Sequence, residues 1–89
     1  MTQATQIKHL VLDVLKPHQP NVMEVAGELA GIGSDYRVRI NVQAVDEKTE
    51  TVVIEIEAEN ADYEAIAAVI ASLGGSVHSI DRVEVHGSD

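Results

Sequence analysis

Oxygen and imidazole side chains near both ends of the sequence could bind a cation. Asp13 lies in the first apolar segment, and His78 and Asp81 lie in the last, with His9 and Ser79 as further possible ligands. If the two segments are neighbouring strands, Asp13 can approach Ser79 or Asp81, and two close carboxylates need a cation or a shared proton. Ca²⁺ and Mg²⁺ prefer such oxygen ligands. The pattern predicts a divalent-cation site at Asp13, His78 and Asp81; the alternative is ordinary polar strand residues.

A second possible site lies in the stretch "KPHQP", which contains Lys16 and His18. These residues come just before an expected helix, and the free N–H groups at a helix N-terminus can bind an anion. The stretch has no glycine-rich loop, so it does not indicate a phosphate cradle. Lys16 and His18 are therefore predicted to bind a small anionic metabolite, or else to form a connector that sets the angle at which the helix begins.

The sequence offers little for covalent catalysis. It has no cysteine and no GxSxG motif, and the adjacent His78 and Ser79 point to opposite faces of a strand. A copper-carrying domain of the CxxC type is excluded. RNA recognition by stacking is disfavoured, because the chain has only two aromatic residues, both tyrosines. We expect a protein that is not an enzyme and that has no cofactor other than Ca²⁺ or Mg²⁺.

Acidic residues dominate the charge of the chain. Its 89 residues include 15 Asp and Glu against 6 Lys and Arg, for a net charge of −9. Such a field repels nucleic-acid phosphates and anionic membranes, so neither is an expected partner. An acidic surface is favoured in high salt, which predicts a halophilic host. The chain has neither a long apolar run nor a signal peptide, so we expect a soluble, cytoplasmic protein.

The hydrophobic pattern predicts six elements in the order strand, helix, strand, strand, helix, strand. The first strand alternates, with Leu10, Leu12 and Val14 on one side. The second helix shows apolar residues at helical spacing from Ile66 onwards, and Asn60 is its predicted N-cap. Right-handed crossovers then favour a ferredoxin-like α+β domain, a βαββαβ sandwich with a four-stranded antiparallel sheet and both helices on one face. The single domain spans 1–89, with its core at about 7–85.

One face of this sheet has no helix over it. Its hairpin can pair Arg39 with Glu55 or Glu57, and Arg37 with Glu57 or Glu59. This face is either a solvated surface of paired charges or a contact with another subunit. The apolar residues expected on it are Val11, Val45 and Val53.

The last strand does not alternate cleanly. Ile80, Val83 and Val85 all favour the core, although a regular strand cannot point all three to one side. A bulge near Asp81 and Arg82 would add one residue and reconcile them. The strand is also expected at a sheet edge, where it could pair with a neighbouring chain.

Three stretches of the sequence carry a family resemblance: "VLDVLKPH", "DEKTETVVIEIE" and "GGSVHSID". Together they resemble an archaeal family known as domain of unknown function 211, over roughly residues 7–85. The resemblance implies a ferredoxin-like fold and ring-like homo-oligomers, and it implies no activity or catalytic residue. Arg37 and Arg39 are less typical of that family.

Two functions are favoured by these observations; a third, a small enzyme that uses His78 and Asp81, would need these side chains within hydrogen-bonding distance in a cleft, and we expect neither. The first is a small acidic, non-enzymatic domain that self-assembles into a homo-oligomeric ring and binds divalent cations. The alternative is a regulatory domain that senses a small molecule and resembles amino-acid-binding modules of the same fold. The oligomeric state and the response to metabolites separate these two hypotheses.

Overall fold

Six elements make up the part of the chain that the computed structural model describes, residues 5–87. The ends of the predicted 1–89 domain, residues 1–4 and 88–89, lie outside this range. The elements follow the predicted order: β1 (Thr5–Pro17), α1 (Val22–Ala30), β2 (Arg37–Val45), β3 (Thr49–Glu57), α2 (Tyr63–Ser72) and β4 (Ser76–Gly87).

The four strands form one antiparallel sheet in the order β2-β3-β1-β4. Strands β1 and β3 therefore lie in the centre, and β2 and β4 form the two edges. Strand order and element order together give the ferredoxin-like α+β fold, so the predicted fold class is confirmed. The predicted edge position of the last strand is confirmed as well.

An aliphatic core fills the space between the sheet and the two helices. Leu12, Ile54 and Ile56 of the central strands are fully buried, and Leu29 of α1 and Ile66 of α2 pack into the same cluster. The helices thus cover one side of the sheet, here called the helix side; the other side is the open face. Neither helix in this part of the chain is long and apolar enough to cross a membrane.

Each helix begins at a capping side chain. Asn21 and Glu24 form a capping box at the start of α1. At the start of α2, the Asp62 carboxylate accepts a hydrogen bond from the backbone N–H of Ala65 (3.1 Å). The prediction that Asn60 caps α2 is therefore wrong. Asn60 lies too far before the first turn, and its side-chain oxygen accepts from the N–H of Ile7 instead (3.1 Å).

Strand β4 contains two irregularities. The register against β1 shifts at His78 and again at Asp81, so neither residue has a partner in β1. The predicted bulge near Asp81 is confirmed, and the second shift at His78 was not predicted. Because of the shift at Asp81, Ile80 and Val83 both point to the helix side, where Ile80 lies opposite Leu12.

Strand β2 also contains a register shift, at Gln43. Beyond it, Val45 lies opposite Glu50, on the helix side of the sheet. The prediction that Val45 lies on the open face is wrong, because a shift of one residue exchanges the two faces of a strand. Val11 and Val53 do lie on the open face, where they alternate with buried core residues.

Candidate functional site

Asp13 and His78 line one depression on the open face. Asp13 lies in the central strand β1, opposite Ser79 of β4. The depression has a volume of about 340 Å³ and is open to solvent. Its lining residues are Asp13, Leu15, Thr51, Ser76 and His78. The structure therefore brings two of the three residues of the predicted cation site to one place.

Asp81 has a partner within its own strand. The hydroxyl of Ser79 donates a hydrogen bond to the Asp81 carboxylate, with an Oγ–Oδ1 distance of 2.7 Å. Within residues 5–87, the ligand atoms of Asp13, His78 and Asp81 do not gather as one compact set. The cation site at these residues stays a prediction.

A compact set of potential metal ligands lies elsewhere on the open face. One ligand atom each of His9, Glu55 and Glu57 lies within 4.8 Å of the other two. His9 Nε2 is 2.6 Å from Glu55 Oε2, and His9 lies directly opposite Glu57 in the register of β1 and β3. The sequence pattern identified His9 as a possible ligand. It did not connect His9 to the two glutamates, because that step needs the register of the two central strands.

Arg39 of the edge strand β2 contacts both glutamates of this set. Its Nη1 atom lies 3.7 Å from Glu55 Oε1 and 3.6 Å from Glu57 Oε1. The predicted pairing of Arg39 with these glutamates is confirmed, and Arg37 lies opposite Glu57 as predicted. Basic side chains of β2 thus face acidic side chains of β3, which favours the pairing of these two strands.

An imidazole with two carboxylates is a ligand set that suits borderline ions such as Zn²⁺. The three side chains project from the two central strands, each of which pairs with a neighbouring strand on both sides. Arg39 competes with such an ion for Glu55 and Glu57, because its guanidinium already balances part of their charge. A metal here must therefore displace or outweigh this arginine.

Lys16 and His18 meet a third residue, Glu50 of β3. Lys16 is only 3% exposed, and its Nζ donates to Glu50 Oε1 (2.9 Å) and to the carbonyl oxygen of Pro17 (2.7 Å). His18 Nδ1 lies 3.2 Å from Glu50 Oε2. The sequence pattern did not identify Glu50, which lies 34 residues from Lys16. The anion site at Lys16 and His18 stays a prediction, and the geometry gives both side chains an internal partner.

These contacts shift two pKa values in opposite directions. The hydrogen bond with Glu50, and then that with the carbonyl of Glu47, raises the pKa of His18 above its ordinary value. The hydrogen bond from Lys16, followed by that from His18, lowers the pKa of the Glu50 carboxyl. Both shifts favour the charged forms of His18 and Glu50.

Comparison with known proteins gives the family and no activity. The model of a family described as an uncharacterized archaeal group, DUF211, matches residues 8–89. An uncharacterized protein of Methanocaldococcus jannaschii is 43% identical over 77 residues, which cover 86% of this chain and 79% of that protein. The predicted resemblance is confirmed: the chain belongs to the DUF211 family.

Proposed function

We propose that the protein is a non-enzymatic assembly module whose copies join through the two edge strands of their sheets. One observation carries this proposal: both edges present partly exposed apolar side chains on the helix side of the sheet. These are Val42 and Val45 in β2 and Ile80, Val83 and Val85 in β4.

An exposed strand edge attracts other strands, because its outward N–H and C=O groups have no partner. Soluble proteins usually protect such edges with charged side chains, proline or a covering segment. On the helix side of β4, Ile80, Val83 and Val85 are instead 50%, 53% and 48% exposed. A neighbouring copy that pairs with β4 would both satisfy the backbone and cover these side chains.

The strand directions favour contact between unlike edges. Because every neighbouring pair in the order β2-β3-β1-β4 is antiparallel, β2 and β4 run in opposite directions. A second copy in the same orientation would therefore place its β2 antiparallel to β4 of the first, and the sheet would continue. Such a head-to-tail contact repeats, and it forms a closed ring when its rotation closes.

Light scattering during size-exclusion chromatography tests this proposal. We expect a molar mass several times the 9.6 kDa of one chain. Val83→Lys places a charge on the β4 edge and should reduce the mass to that of one chain. Met23→Lys is the matched control, because Met23 is an exposed apolar residue on α1 and belongs to neither edge strand. An unaltered protein that stays at 9.6 kDa at every salt and protein concentration would overturn the proposal.

We further propose that the assembled module binds a divalent cation through His9, Glu55 and Glu57. The compact ligand set on the open face supports this second role. Isothermal titration with Zn²⁺, Ca²⁺ and Mg²⁺ separates it from the oxygen-ligand site predicted at Asp13, His78 and Asp81. Binding of Zn²⁺ in preference to Mg²⁺ supports the imidazole-containing set, and heat only from Ca²⁺ or Mg²⁺ contradicts it.

The alternative function, a domain that senses a small molecule, is favoured by the depression that Asp13 and His78 line. Its volume falls within the range of small-molecule sites, about 300–1,000 Å³. A thermal-shift screen with amino acids and other metabolites tests it. A rise in the unfolding temperature with one metabolite, lost in His78→Gln, supports this function; no rise with any compound contradicts it.

A further inference from the structure

We propose that His18 is a pH-dependent link between the β1–α1 connector and the β2–β3 turn. Its doubly protonated ring joins the two segments by hydrogen bonds, and loss of one ring proton releases the turn. The connector comprises residues 18–21, and the turn comprises residues 46–48. Nothing in the family assignment gives these residues a role.

Both ring nitrogens of His18 face hydrogen-bond acceptors. Nδ1 lies 3.2 Å from Glu50 Oε2. Nε2 lies 2.9 Å from the carbonyl oxygen of Asp46 and 3.0 Å from that of Glu47. Carbonyl oxygens cannot donate, and neither can an ionised carboxylate. Each nitrogen must therefore carry a proton for all three contacts to be hydrogen bonds, and only the imidazolium has both.

A neutral His18 ring can keep the hydrogen bond to Glu50 or those to the turn carbonyls, but not both. If Nδ1 keeps its proton, the lone pair of Nε2 faces the carbonyl oxygens of Asp46 and Glu47 and repels them. If Nε2 keeps its proton, the lone pair of Nδ1 faces the Glu50 carboxylate, whose full negative charge repels it more strongly than the carbonyl dipoles repel a lone pair on Nε2. The neutral ring therefore keeps its proton on Nδ1, and the contacts with the turn are the ones that are lost. The turn retains its own backbone hydrogen bond from the N–H of Asp46 to the carbonyl of Thr49 (2.8 Å). Deprotonation thus loosens the connection between turn and connector without opening the hairpin.

The charges around His18 explain why the change stays local. Glu50 from β3 lies between His18 and the buried ammonium of Lys16 from β1. When His18 becomes neutral, Lys16 still balances Glu50, so no buried charge is left alone. The turn contributes three more ionisable side chains, Asp46, Glu47 and Lys48.

The direction of the His18 shift sets the pH range. Its pKa in the folded protein lies above the ordinary histidine value of about 6.5. The contribution of protonated His18 to the free energy of unfolding is therefore fully present below that ordinary value. It is lost as the pH rises through the raised pKa of His18. At the acid end, the pKa of Glu50 is lowered. The stabilisation by ionised Glu50 is therefore fully present above the ordinary pKa of a carboxyl group, and it is lost as the pH falls through the lowered pKa.

NMR titration of the unaltered protein tests the proposal. We expect the His18 ring signals to titrate above pH 6.5, and the amide signals of residues 46–49 to change with the same midpoint. In His18→Gln the pH response of these amides should disappear. His78→Gln, at an exposed histidine outside the cluster, should leave it unchanged.

Two results would overturn the proposal. One is a His18 midpoint at or below that of a histidine in an unfolded peptide. The other is a turn whose amide signals do not change with the His18 ring. Both are read from the unaltered protein, so the test remains decisive even if His18→Gln does not fold.

Discussion

Ile80 lies directly opposite Leu12 in the sheet, and both side chains point to the helix side, yet Leu12 is fully buried and Ile80 is half exposed. On the helix side, the side chains of the central strands are buried, whereas Ile80, Val83 and Val85 of β4 are about half exposed. The apolar character of Ile80 is therefore unexplained by the core of a single chain. The proposed second copy at the β4 edge would cover this side chain.

Two edge variants should complement each other. Val83→Lys places a charge on the β4 edge and leaves the β2 edge unchanged. Val42→Lys places a charge on the β2 edge and leaves the β4 edge unchanged. We expect each variant to be a single chain by light scattering. An equimolar mixture should contain a dimer and nothing larger, because it has one intact pair of edges.

The same experiment can contradict the head-to-tail contact. If two β4 edges pair with each other, the Val42→Lys protein alone remains a dimer and mixing changes nothing. Both residues are partly exposed, so we expect each change to alter the free energy of unfolding by less than about 1 kcal/mol. Urea unfolding of each variant verifies this.

His9→Gln should weaken Zn²⁺ binding at least tenfold, because it removes the imidazole from the ligand set. His78→Gln is the matched control, since His78 belongs to the other predicted cation site. Isothermal titration measures both variants. Equal weakening by His78→Gln, or no effect of His9→Gln, would contradict the proposed set.

Arg39→Gln should have the opposite effect on Zn²⁺ affinity. The guanidinium of Arg39 lies within 4 Å of both Glu55 and Glu57 and competes with a cation for them. We therefore expect tighter binding in this variant by isothermal titration. Weaker binding would show that Arg39 supports the site instead of competing with it.

Glu50→Gln should destabilise the fold by about 1–3 kcal/mol, because it leaves the buried ammonium of Lys16 without its charged partner. The double variant Lys16→Met/Glu50→Gln should recover part of this loss, since methionine fills a similar space without a charge. Urea unfolding at pH 6 measures all forms. A Glu50→Gln protein as stable as the unaltered one would contradict the importance of this pair.

The unfolding temperature should rise when KCl is increased from 0.1 M to 2 M. A net charge of −9 makes the folded chain repel itself, and salt screens that repulsion. Glu28→Gln and Glu64→Gln, at exposed helix positions, should together reduce the rise. Calorimetry that shows no rise in the unaltered protein would contradict the expected adaptation to high salt.

The fold was predictable because each central strand has one buried side and one open side. This asymmetry gives β1 and β3 a clear two-residue period, and Leu12 and Ile54 are buried as that period requires. The edge strands were harder, because bulges interrupt the period. At Gln43 the shift moved Val45 to the unexpected side, whereas the irregularity near Asp81 was visible from the competing apolar positions.

The site residues were predictable only in part, because a chemical site depends on the register between distant segments. The charge of Lys16 makes it a candidate site residue in the sequence, but its partner Glu50 follows only from the alignment of β1 with β3. The same alignment brings His9 to Glu57. Residue type indicated which side chains could act, and the pairing of the strands decided which of them meet.

Hydrogen exchange of the edge strands, followed by mass spectrometry, tests the central claim most directly. If β4 of one copy pairs with β2 of the next, peptides from both strands are protected at high protein concentration, and Val83→Lys in β4 also exposes β2. Edge strands whose amides stay unprotected at every protein concentration would contradict the assembly. Protection of β4 alone would contradict the head-to-tail contact.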